Sequence, residues 1–422
     1  MSTTFRTTRL KNGARIATAS MPYMKTVTVG LWAGVGGRHE NAKQSGMAHF
    51  IEHLLFKGTA KRNARQITEA IEGLGGYINA FTSEDHTCYY AKAGAQHLPR
   101  VCEVLSDMYL DSEFPAPEIE RERDVIHEEI LMYRDQPAQH AQELLSESMW
   151  PEHPLGRPLT GTTDTVSRFT RNELVDFQRR HYCGHTTVAA VAGRCSHEEV
   201  VEAFAPLLSR LPAGNVPRFL RAPRKLGPSR LNLQTNDTEQ THVALGFHAF
   251  GRKDDRRFAL KILSVILGEN MSSRLFQKLR ERHGYCYSIQ SSTVTLDDAG
   301  AISIYAGIDH AKLERAVKMI LREIENICHR PPSKGELQKA KDYTIGQTLM
   351  GLESTTNQMM WVGESLLGYG VIHDPAAIEA KIRTVRAEDI QRCACYCLHR
   401  ARLGVAVVGP LQERERVESW LS

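Results

Sequence analysis

The sequence predicts an α+β fold made of two similar domains. With 422 residues, the chain is long enough for two or three domains that each have a core. Its two halves also repeat one series of β-like and helical segments, which is the pattern of a duplicated domain. We therefore expect an N-terminal domain at residues 1–212 and a C-terminal domain at residues 231–422. Residues 213–230, with prolines, a glycine and few apolar side chains, are expected to form the linker.

Both halves alternate apolar strand-like runs with segments of helical periodicity. In the first half we expect strands at residues 26–33, 77–82 and 186–193, and helices at residues 47–56, 64–74, 172–177 and 198–211. In the second half we expect strands at residues 241–248, 287–291 and 402–409, and helices at residues 258–267, 273–282, 387–391 and 413–421. The two halves match best at their ends, where a helix, a strand and a final helix follow one another.

Composition and charge narrow the class of protein. The chain is 41% hydrophobic and 24% charged, and its net charge of +4 comes without a dense basic run, so nucleic acid is not indicated. No run of eighteen apolar residues is present and the N-terminus is polar, so we expect no membrane segment and a cytoplasmic protein. Nine scattered cysteines favour a reducing compartment. The alternating Cys393, Cys395 and Cys397 lack the C-x-x-C spacing of zinc sites, so we expect no metal there.

Residues 49–53 read His49-Phe50-Ile51-Glu52-His53 and lie in the helix expected at 47–56. Residues i and i+4 of a helix share one face, so the two imidazoles can reach one metal ion. Glu52 projects to nearly the same place, as a general base beside a metal-bound water would. This order, H-x-x-E-H, is the inverzincin signature. On its own the pattern also fits two surface histidines, so a third ligand is needed. The second half has Lys261 and Val265 in place of the histidines and cannot bind the same metal.

A third ligand is available in the acidic segment 119–130, which follows Pro115 and Pro117 and is expected to be helical. Glu122 and Glu129 are seven residues apart, about two turns, and therefore share a face. The apolar residues of this segment indicate a packed helix, so some of its acids face other parts of the protein. Glu128 is the main competitor of Glu129, but it points about 100° away around the helix. A solvated charged face is the alternative that the residues alone leave open.

These residues together resemble the pitrilysin, or M16, metallopeptidases, which carry H-x-x-E-H and a distal glutamate in an E-x-x-x-x-x-x-E pair. Glu122 and Glu129 fit that pair. Further matching segments lie, in chain order, at Gly75-Gly76, Asn79-Ala80-Phe81-Thr82, Leu159-Thr160-Gly161-Thr162, Ser273-Arg274-Leu275-Phe276, Leu279-Arg280 and Tyr285-Cys286-Tyr287-Ser288. The resemblance extends from Leu10 to about Gly409. Length and repeat indicate the short, two-domain subfamily that includes bacterial processing peptidases and mitochondrial processing peptidase subunits.

The resemblance implies a fold and a chemistry. Each domain would be a mainly antiparallel sheet covered by helices, and the chain would form half of a clamshell chamber. One Zn²⁺ per chain would be bound by His49, His53 and Glu129. Glu52 would activate the zinc-bound water in a zinc-dependent endopeptidase that cleaves short or unfolded peptides. Glu122 would be an outer acid that orients a ligand.

The resemblance also implies how a peptide would bind. The edge strand with Asn79, Ala80, Phe81 and Thr82 would pair with the substrate backbone. Arg280 and Tyr287 would hold the substrate carbonyl and stabilise the oxyanion.

In this family a complete chamber needs two such two-domain units, so the resemblance implies a partner chain. We expect a homodimer in which Arg280 and Tyr287 reach the zinc of the other copy, with a heterodimer as a further possibility. The alternative is a non-catalytic or conditionally active subunit, which binds peptide and requires a partner chain.

Overall fold

The computed structural model describes residues 3–223 and 230–421. The strands among these residues are β1 (Thr4–Arg9), β2 (Arg15–Ser20), β3 (Thr26–Ala33), β4 (Tyr77–Thr82), β5 (Thr87–Gly94), β6 (Thr187–Gly193), β7 (Arg230–Thr235), β8 (Thr241–Ala249), β9 (Cys286–Thr295), β10 (Gly300–Ile308) and β11 (Leu403–Gly409). The α-helices are α1 (Met47–Leu54), α2 (Ala64–Glu72), α3 (Leu98–Asp111), α4 (Ala116–Asp135), α5 (Pro137–Met149), α6 (Thr163–Arg168), α7 (Arg171–His181), α8 (His197–Leu208), α9 (Arg257–Leu267), α10 (Leu313–His329), α11 (Lys334–Gly351), α12 (Thr355–Tyr369), α13 (Pro375–Thr384), α14 (Ala387–Cys397) and α15 (Arg414–Leu421).

These elements form two compact units. Unit 1 comprises Met1–Ile130, Pro158–Leu220 and Leu349–His373, and unit 2 comprises Leu131–Arg157, Arg221–Thr348 and Asp374–Ser422. The boundary between unit 1 and unit 2 falls after Leu220, within the expected linker. Residues 224–229 of that linker lie outside the described ranges.

Each unit is built on one mixed sheet. The strand order is β1–β2–β6–β3–β5–β4 in unit 1 and β7–β11–β8–β10–β9 in unit 2. One neighbouring pair in each sheet is parallel, β2 with β6 and β7 with β11, and the other pairs are antiparallel. The five strands of unit 2 therefore repeat five strands of unit 1 in order and direction, and β1 is an additional edge strand. The predicted two-domain α+β fold, with mainly antiparallel sheets covered by helices, is confirmed.

One face of each sheet is covered by a helix from the other half of the sequence. Helix α12 packs on β2, β3 and β6 of unit 1, and α5 packs on β7, β8 and β11 of unit 2. Both helices approach a glycine: a Cβ atom added to Gly30 would lie 2.3 Å from Sδ of Met359, and one added to Gly246 would lie 2.4 Å from Sδ of Met149. These two segments depart from the contiguous halves expected from the sequence, because periodicity shows that a helix has an apolar face but not which sheet it covers.

The opposite face of the unit 1 sheet carries the core that positions the site. Apolar side chains of β3 pack there with those of α1, α3, α7 and α8. Phe50, Ile51, Leu54 and Leu55 are fully buried in this core, so the other face of α1 is directed away from the sheet interior. None of the helices described in residues 3–223 and 230–421 is both long and apolar enough to cross a membrane.

The segment expected as a helix at 273–282 differs from the expectation in its winding. It forms a π-helix over Phe276–Arg282. Two backbone hydrogen bonds end this helix. The amide of Tyr285 donates to the carbonyl of Leu279 at 2.8 Å, and the amide of Gly284 donates to the carbonyl of Arg280 at 3.1 Å. A wider helix shifts the direction of each side chain, which hydrophobic periodicity cannot reveal.

Candidate metal centre

The helix that carries the histidines is fixed at its N-terminus by a buried acid. The carboxylate of Glu40 accepts hydrogen bonds from the amides of Gly46 (2.9 Å) and Ala48 (2.7 Å), and so caps the helix where negative charge is favoured. Gly46 has φ of 93°, and a Cβ atom there would lie 2.6 Å from the carbonyl oxygen of Thr160. The segment 159–162 thus packs against the start of α1, and both features require glycine at position 46.

His49, His53 and Glu129 meet at one point between α1 and α4. Nε2 of His49 and Nε2 of His53 each lie 3.6 Å from Oε2 of Glu129, and the two imidazole rings are 4.6 Å apart. The ligand atoms of the three residues all lie within 4.8 Å of one another. Glu128, the competing acid, is exposed and is not part of this group.

The three residues fit a zinc ion. The separations of 3.6 Å are too long for hydrogen bonds, so the ligand atoms face one another without bonding directly. Burial, and then the nearby His53, lower the pKa of His49 to about 3, which keeps its imidazole neutral, as a metal ligand must be. Two imidazole nitrogens and a carboxylate oxygen are a common ligand set of catalytic zinc. Among residues 3–223 and 230–421, no second group of three such side chains meets these distances, and the alternating cysteines form none.

His53 is held by a hydrogen bond and His49 is not. Nδ1 of His53 lies 3.0 Å from Oε2 of Glu122. The other oxygen of Glu122 lies 2.7 Å from Nζ of Lys57. Burial raises the pKa of Glu122, but the hydrogen bonds with His53 and Lys57 outweigh it and the net pKa is lowered. Nδ1 of His49 is buried and has no hydrogen-bond partner in the part of the chain that is described.

Glu52 lies next to the triad and contacts the edge strand β4. Oγ1 of Thr82 donates a hydrogen bond of 2.6 Å to Oε2 of Glu52. Burial raises the pKa of Glu52, and the hydrogen bond from Thr82 and the nearby His53 oppose that rise. A carboxylate with a raised pKa is a better proton acceptor than a free one, so the environment suits a general base.

Strand β4 is an edge of the unit 1 sheet, with β5 as its one sheet neighbour among the described residues. Ala80 packs towards the core that contains α1, on the same face as Thr82. The ring of Phe81 faces the other way and lies 5.7 Å from Trp32. The ring of Phe81 is therefore directed away from the face of β4 on which Thr82 contacts Glu52. The side-chain oxygen of Asn79 accepts a local bond of 2.8 Å from the amide of Ala80.

Arg280 and Tyr287 lie together in unit 2. The guanidinium of Arg280 is 4.9 Å from the ring of Tyr287 and 4.7 Å from the ring of Phe276, within the range of cation–π contacts. Arg280 is in the π-helix and Tyr287 is in β9, the edge strand of its sheet. Tyr287 is 74% exposed, so its ring is available to another molecule.

Three features of the site have no clear signal in the sequence. No motif marks Lys57, although it follows His53 by one helical turn. The resemblance implies that Thr82 binds substrate, but it does not indicate the contact of Thr82 with Glu52. Glu40 had no local signal, because its two amide partners become neighbours through the turn that precedes α1.

Two family models match the chain. Residues 15–163 match the family described as insulinase, peptidase family M16, and residues 168–343 match the peptidase M16 inactive domain. The first match covers the whole triad, and the second covers Lys261, Arg280 and Tyr287.

Similar proteins are known from several bacteria. A Mycobacterium tuberculosis protein called an uncharacterized zinc protease is 37% identical over 414 residues, covering 96% of this chain and 93% of that protein. The Bacillus subtilis uncharacterized zinc protease YmxG is 34% identical over 363 residues, covering 85% and 87% of the two chains. A crystal structure of a Helicobacter pylori protease has a TM-score of 0.91 at 22% identity, covering 97% of this chain and all of that one. A Pseudomonas fluorescens structure described as a peptidase M16 inactive domain has a TM-score of 0.89 at 17% identity, covering 97% and 98% of the two chains.

Proposed function

Because the chain belongs to peptidase family M16, we propose that it is a zinc-dependent endopeptidase that hydrolyses short or unfolded peptides. The observation that carries this proposal is the convergence of His49, His53 and Glu129 within 4.8 Å, with Glu52 beside them. The relatives named zinc proteases support zinc as the metal. We assign one ion to each chain.

The residues of the site divide the work of hydrolysis between them. Zinc bound by His49, His53 and Glu129 would supply a Lewis acid that polarises the scissile carbonyl and lowers the pKa of a coordinated water. Glu52 takes a proton from the attacking water and later gives it to the leaving amine. Thr82 holds Oε2 of Glu52, which leaves Oε1 to carry that proton. Glu122 keeps the ring of His53 in one orientation.

Peptide binding is assigned to the free edge of β4. An edge strand offers unpaired N–H and C=O groups, to which an extended peptide can add as a further strand. Because backbone pairing makes few demands on side chains, this mode suits unfolded segments of varied sequence. Along Asn79, Ala80, Phe81 and Thr82 the backbone groups point alternately to β5 and to the free edge, so every second residue of this segment would pair with the peptide.

A complete site in this proposal uses two copies of the chain. Arg280 and Tyr287 of a second copy would hold the substrate carbonyl and stabilise the charge that develops on it. The exposure of Tyr287 and its stacking with Arg280 support a role in contacting a molecule outside unit 2.

The test compares wild type with Glu52→Gln on a peptide library read by mass spectrometry. We expect kcat/KM to fall by about 10²–10⁴-fold, because a general base is lost. Bound zinc should remain, since the three ligands are unchanged. Glu69→Gln is the matched control, because it makes the same carboxylate-to-amide change at an exposed position of α2. Wild-type cleavage by Glu52→Gln, or purified wild type without zinc, would contradict the proposal.

A size measurement of the active protein tests the dimer. Activity that coincides with a dimer of identical chains supports the homodimer. A chain that cleaves nothing alone and becomes active with a second, related protein would instead favour a subunit that requires a partner.

A further inference from the structure

Lys57 contacts the acid that holds a metal ligand. Its Nζ lies 2.7 Å from Oε1 of Glu122, and Oε2 of the same carboxylate lies 3.0 Å from Nδ1 of His53. Glu122 is 4% exposed, so its carboxylate is buried. Each of its two oxygens has one basic partner, Lys57 or His53. The three side chains thus form a continuous line from Lys57 to the face of the triad.

The backbone fixes where Lys57 stands. Its amide donates a bond of 3.0 Å to the carbonyl of Leu54, the last residue of α1. The carbonyl of the next residue, Gly58, accepts a bond of 3.1 Å from the amide of Glu113, just before α4 begins. Lys57 is therefore tied both to the helix of the histidines and to the segment that enters the helix of the glutamates.

A buried carboxylate needs both its oxygens satisfied and its charge balanced. His53 donates one hydrogen bond, but a neutral imidazole brings no positive charge. Lys57 supplies that charge and the second donor. Without Lys57 the carboxylate would be free to turn or to draw in water, and its hydrogen bond to His53 would weaken.

We propose that Lys57 is a positioning residue of the metal site, which fixes the Glu122 carboxylate and, through it, the imidazole of His53. With Nδ1 donating to Glu122, Nε2 of His53 keeps its lone pair for the metal. This matters most at His53, because Nδ1 of His49 has no such partner in the described part of the chain. The inference rests on the proposed function for the identity of the metal as zinc.

The experiment measures zinc affinity by competition with a chromophoric chelator, in the absence of peptide. Lys57→Met keeps the length of the stem and removes the charge. We expect the zinc Kd to rise by about 10-fold, the low end of the range for the outer partners of metal ligands, because Lys57 acts on His53 through Glu122. Lys57→Arg keeps the charge and should bind zinc nearly as well as wild type. Lys61→Met is the matched control, because Lys61 lies four residues further on and faces Glu103 and Asp107 at 3.9 and 3.8 Å, away from the histidines.

A double-mutant cycle separates positioning from a general effect on the fold. If Lys57 acts through Glu122, then Lys57→Met should change the zinc Kd little in a Glu122→Gln background. An equal loss in both backgrounds would overturn the proposal. Thermal unfolding of the metal-free proteins checks folding, and Lys57→Gln carries the same expectation if Lys57→Met does not fold.

Failure of this inference is distinguishable from failure of the proposed function. Equal zinc affinity of wild type and Lys57→Met overturns the role of Lys57, whatever the peptidase activity is. A wild type that binds zinc but cleaves no peptide overturns the proposed function, while a weaker zinc Kd in Lys57→Met still supports the role of Lys57.

Discussion

Units 1 and 2 repeat one strand order but carry different chemistry at the same places. Where α1 has His49 and His53, α9 has Lys261 and Val265, and Nζ of Lys261 lies 2.5 Å from Oε2 of Glu269. Counted from the first residue of each helix, Ala340 and Gln347 of α11 stand where α4 has its two glutamates. A salt bridge and neutral side chains thus stand where unit 1 has its candidate metal ligands, and the strand order is the same.

The contact between the edge strand and the helix shows the same substitution of chemistry. In unit 1 the hydroxyl of Thr82 bonds Glu52, whereas in unit 2 Oγ of Ser291 donates to the carbonyl of Ser264 at 2.7 Å and lies 3.1 Å from its hydroxyl. The hydroxyl of Thr82 holds the carboxylate that we propose as the general base, whereas the hydroxyl of Ser291 joins a strand to a helix. Function therefore depends on a few side chains placed on a shared frame.

The largest expected difference between the units concerns zinc. Glu129→Gln should weaken zinc binding by more than about 100-fold, the upper end for residues that only contact a ligand, because a ligand itself is lost. Gln347→Ala, at the matching place of α11, should leave both zinc content and peptidase activity at wild-type values. Metal analysis and peptide cleavage check both variants, and zinc lost equally from the two would remove the contrast between the units.

Two half-buried arginines, one in each unit, test a property in which the units should behave alike. Arg62 contacts Asp107 at 2.6 Å in unit 1, and Arg274 contacts Glu336 at 2.6 Å and Glu323 at 3.3 Å in unit 2. Arg62→Met and Arg274→Met should each lower the free energy of unfolding by about 1.5–3 kcal/mol, because the buried Asp107 and Glu323 each lose one of their charged partners.

Denaturant unfolding measures both arginine variants, with exposed Arg65→Met as the control. The zinc Kd should stay unchanged in all three variants. A large loss of stability in one unit and none in the other would show that the ion pairs of Arg62 and Arg274 are not equivalent.

The hydroxyls of Thr82 and Ser291, one in the edge strand of each sheet, should differ in effect: the first should affect catalysis and the second stability. Thr82→Val should lower kcat about 10–100-fold with little change in KM, because a hydrogen bond to a charged group is lost. It should also move the acid limb of the pH profile upward, since that bond lowers the pKa of Glu52. Thr82→Ser keeps the hydroxyl and should therefore have activity close to that of wild type.

Ser291→Ala is the matched change in unit 2. It should cost about 1 kcal/mol of stability, typical for one hydrogen bond, and leave kcat unchanged. Equal kinetic effects of Thr82→Val and Ser291→Ala would contradict the assignment of Thr82 to Glu52.

The last expected effect is a dependence of stability on pH that both units share. Burial lowers the pKa of His39 in unit 1 and of His248 in unit 2 to about 4 each, while both titrate near 6.5 when unfolded. Between pH 6.5 and 4 the unfolded chain binds more protons, so stability falls as the pH is lowered through this window. His39→Gln and His248→Gln should each flatten this fall by about 1–2 kcal/mol in thermal unfolding at pH 4.5 and 7.5. A steeper fall in either variant would contradict the sign.

The fold class and the triad could be predicted because their signals are local. The period of α1 placed His49, Glu52 and His53 on one face, and the seven-residue spacing placed Glu122 and Glu129 on another. The repeat of strands and helices predicted two similar units. The π-helical winding and the contacts of Lys57 and Thr82 depend on which segments meet in space, which one sequence does not record.

The reciprocal covering of the two sheets also bears on how the chain is made. The sheet face with Ala17, Trp32 and Val188 is covered by α12, which is synthesised about 160 residues after β6. At cellular rates of translation this gap lasts on the order of 10 s. During that time an apolar surface is exposed on an otherwise complete sheet, so aggregation competes with folding until α12 has been made.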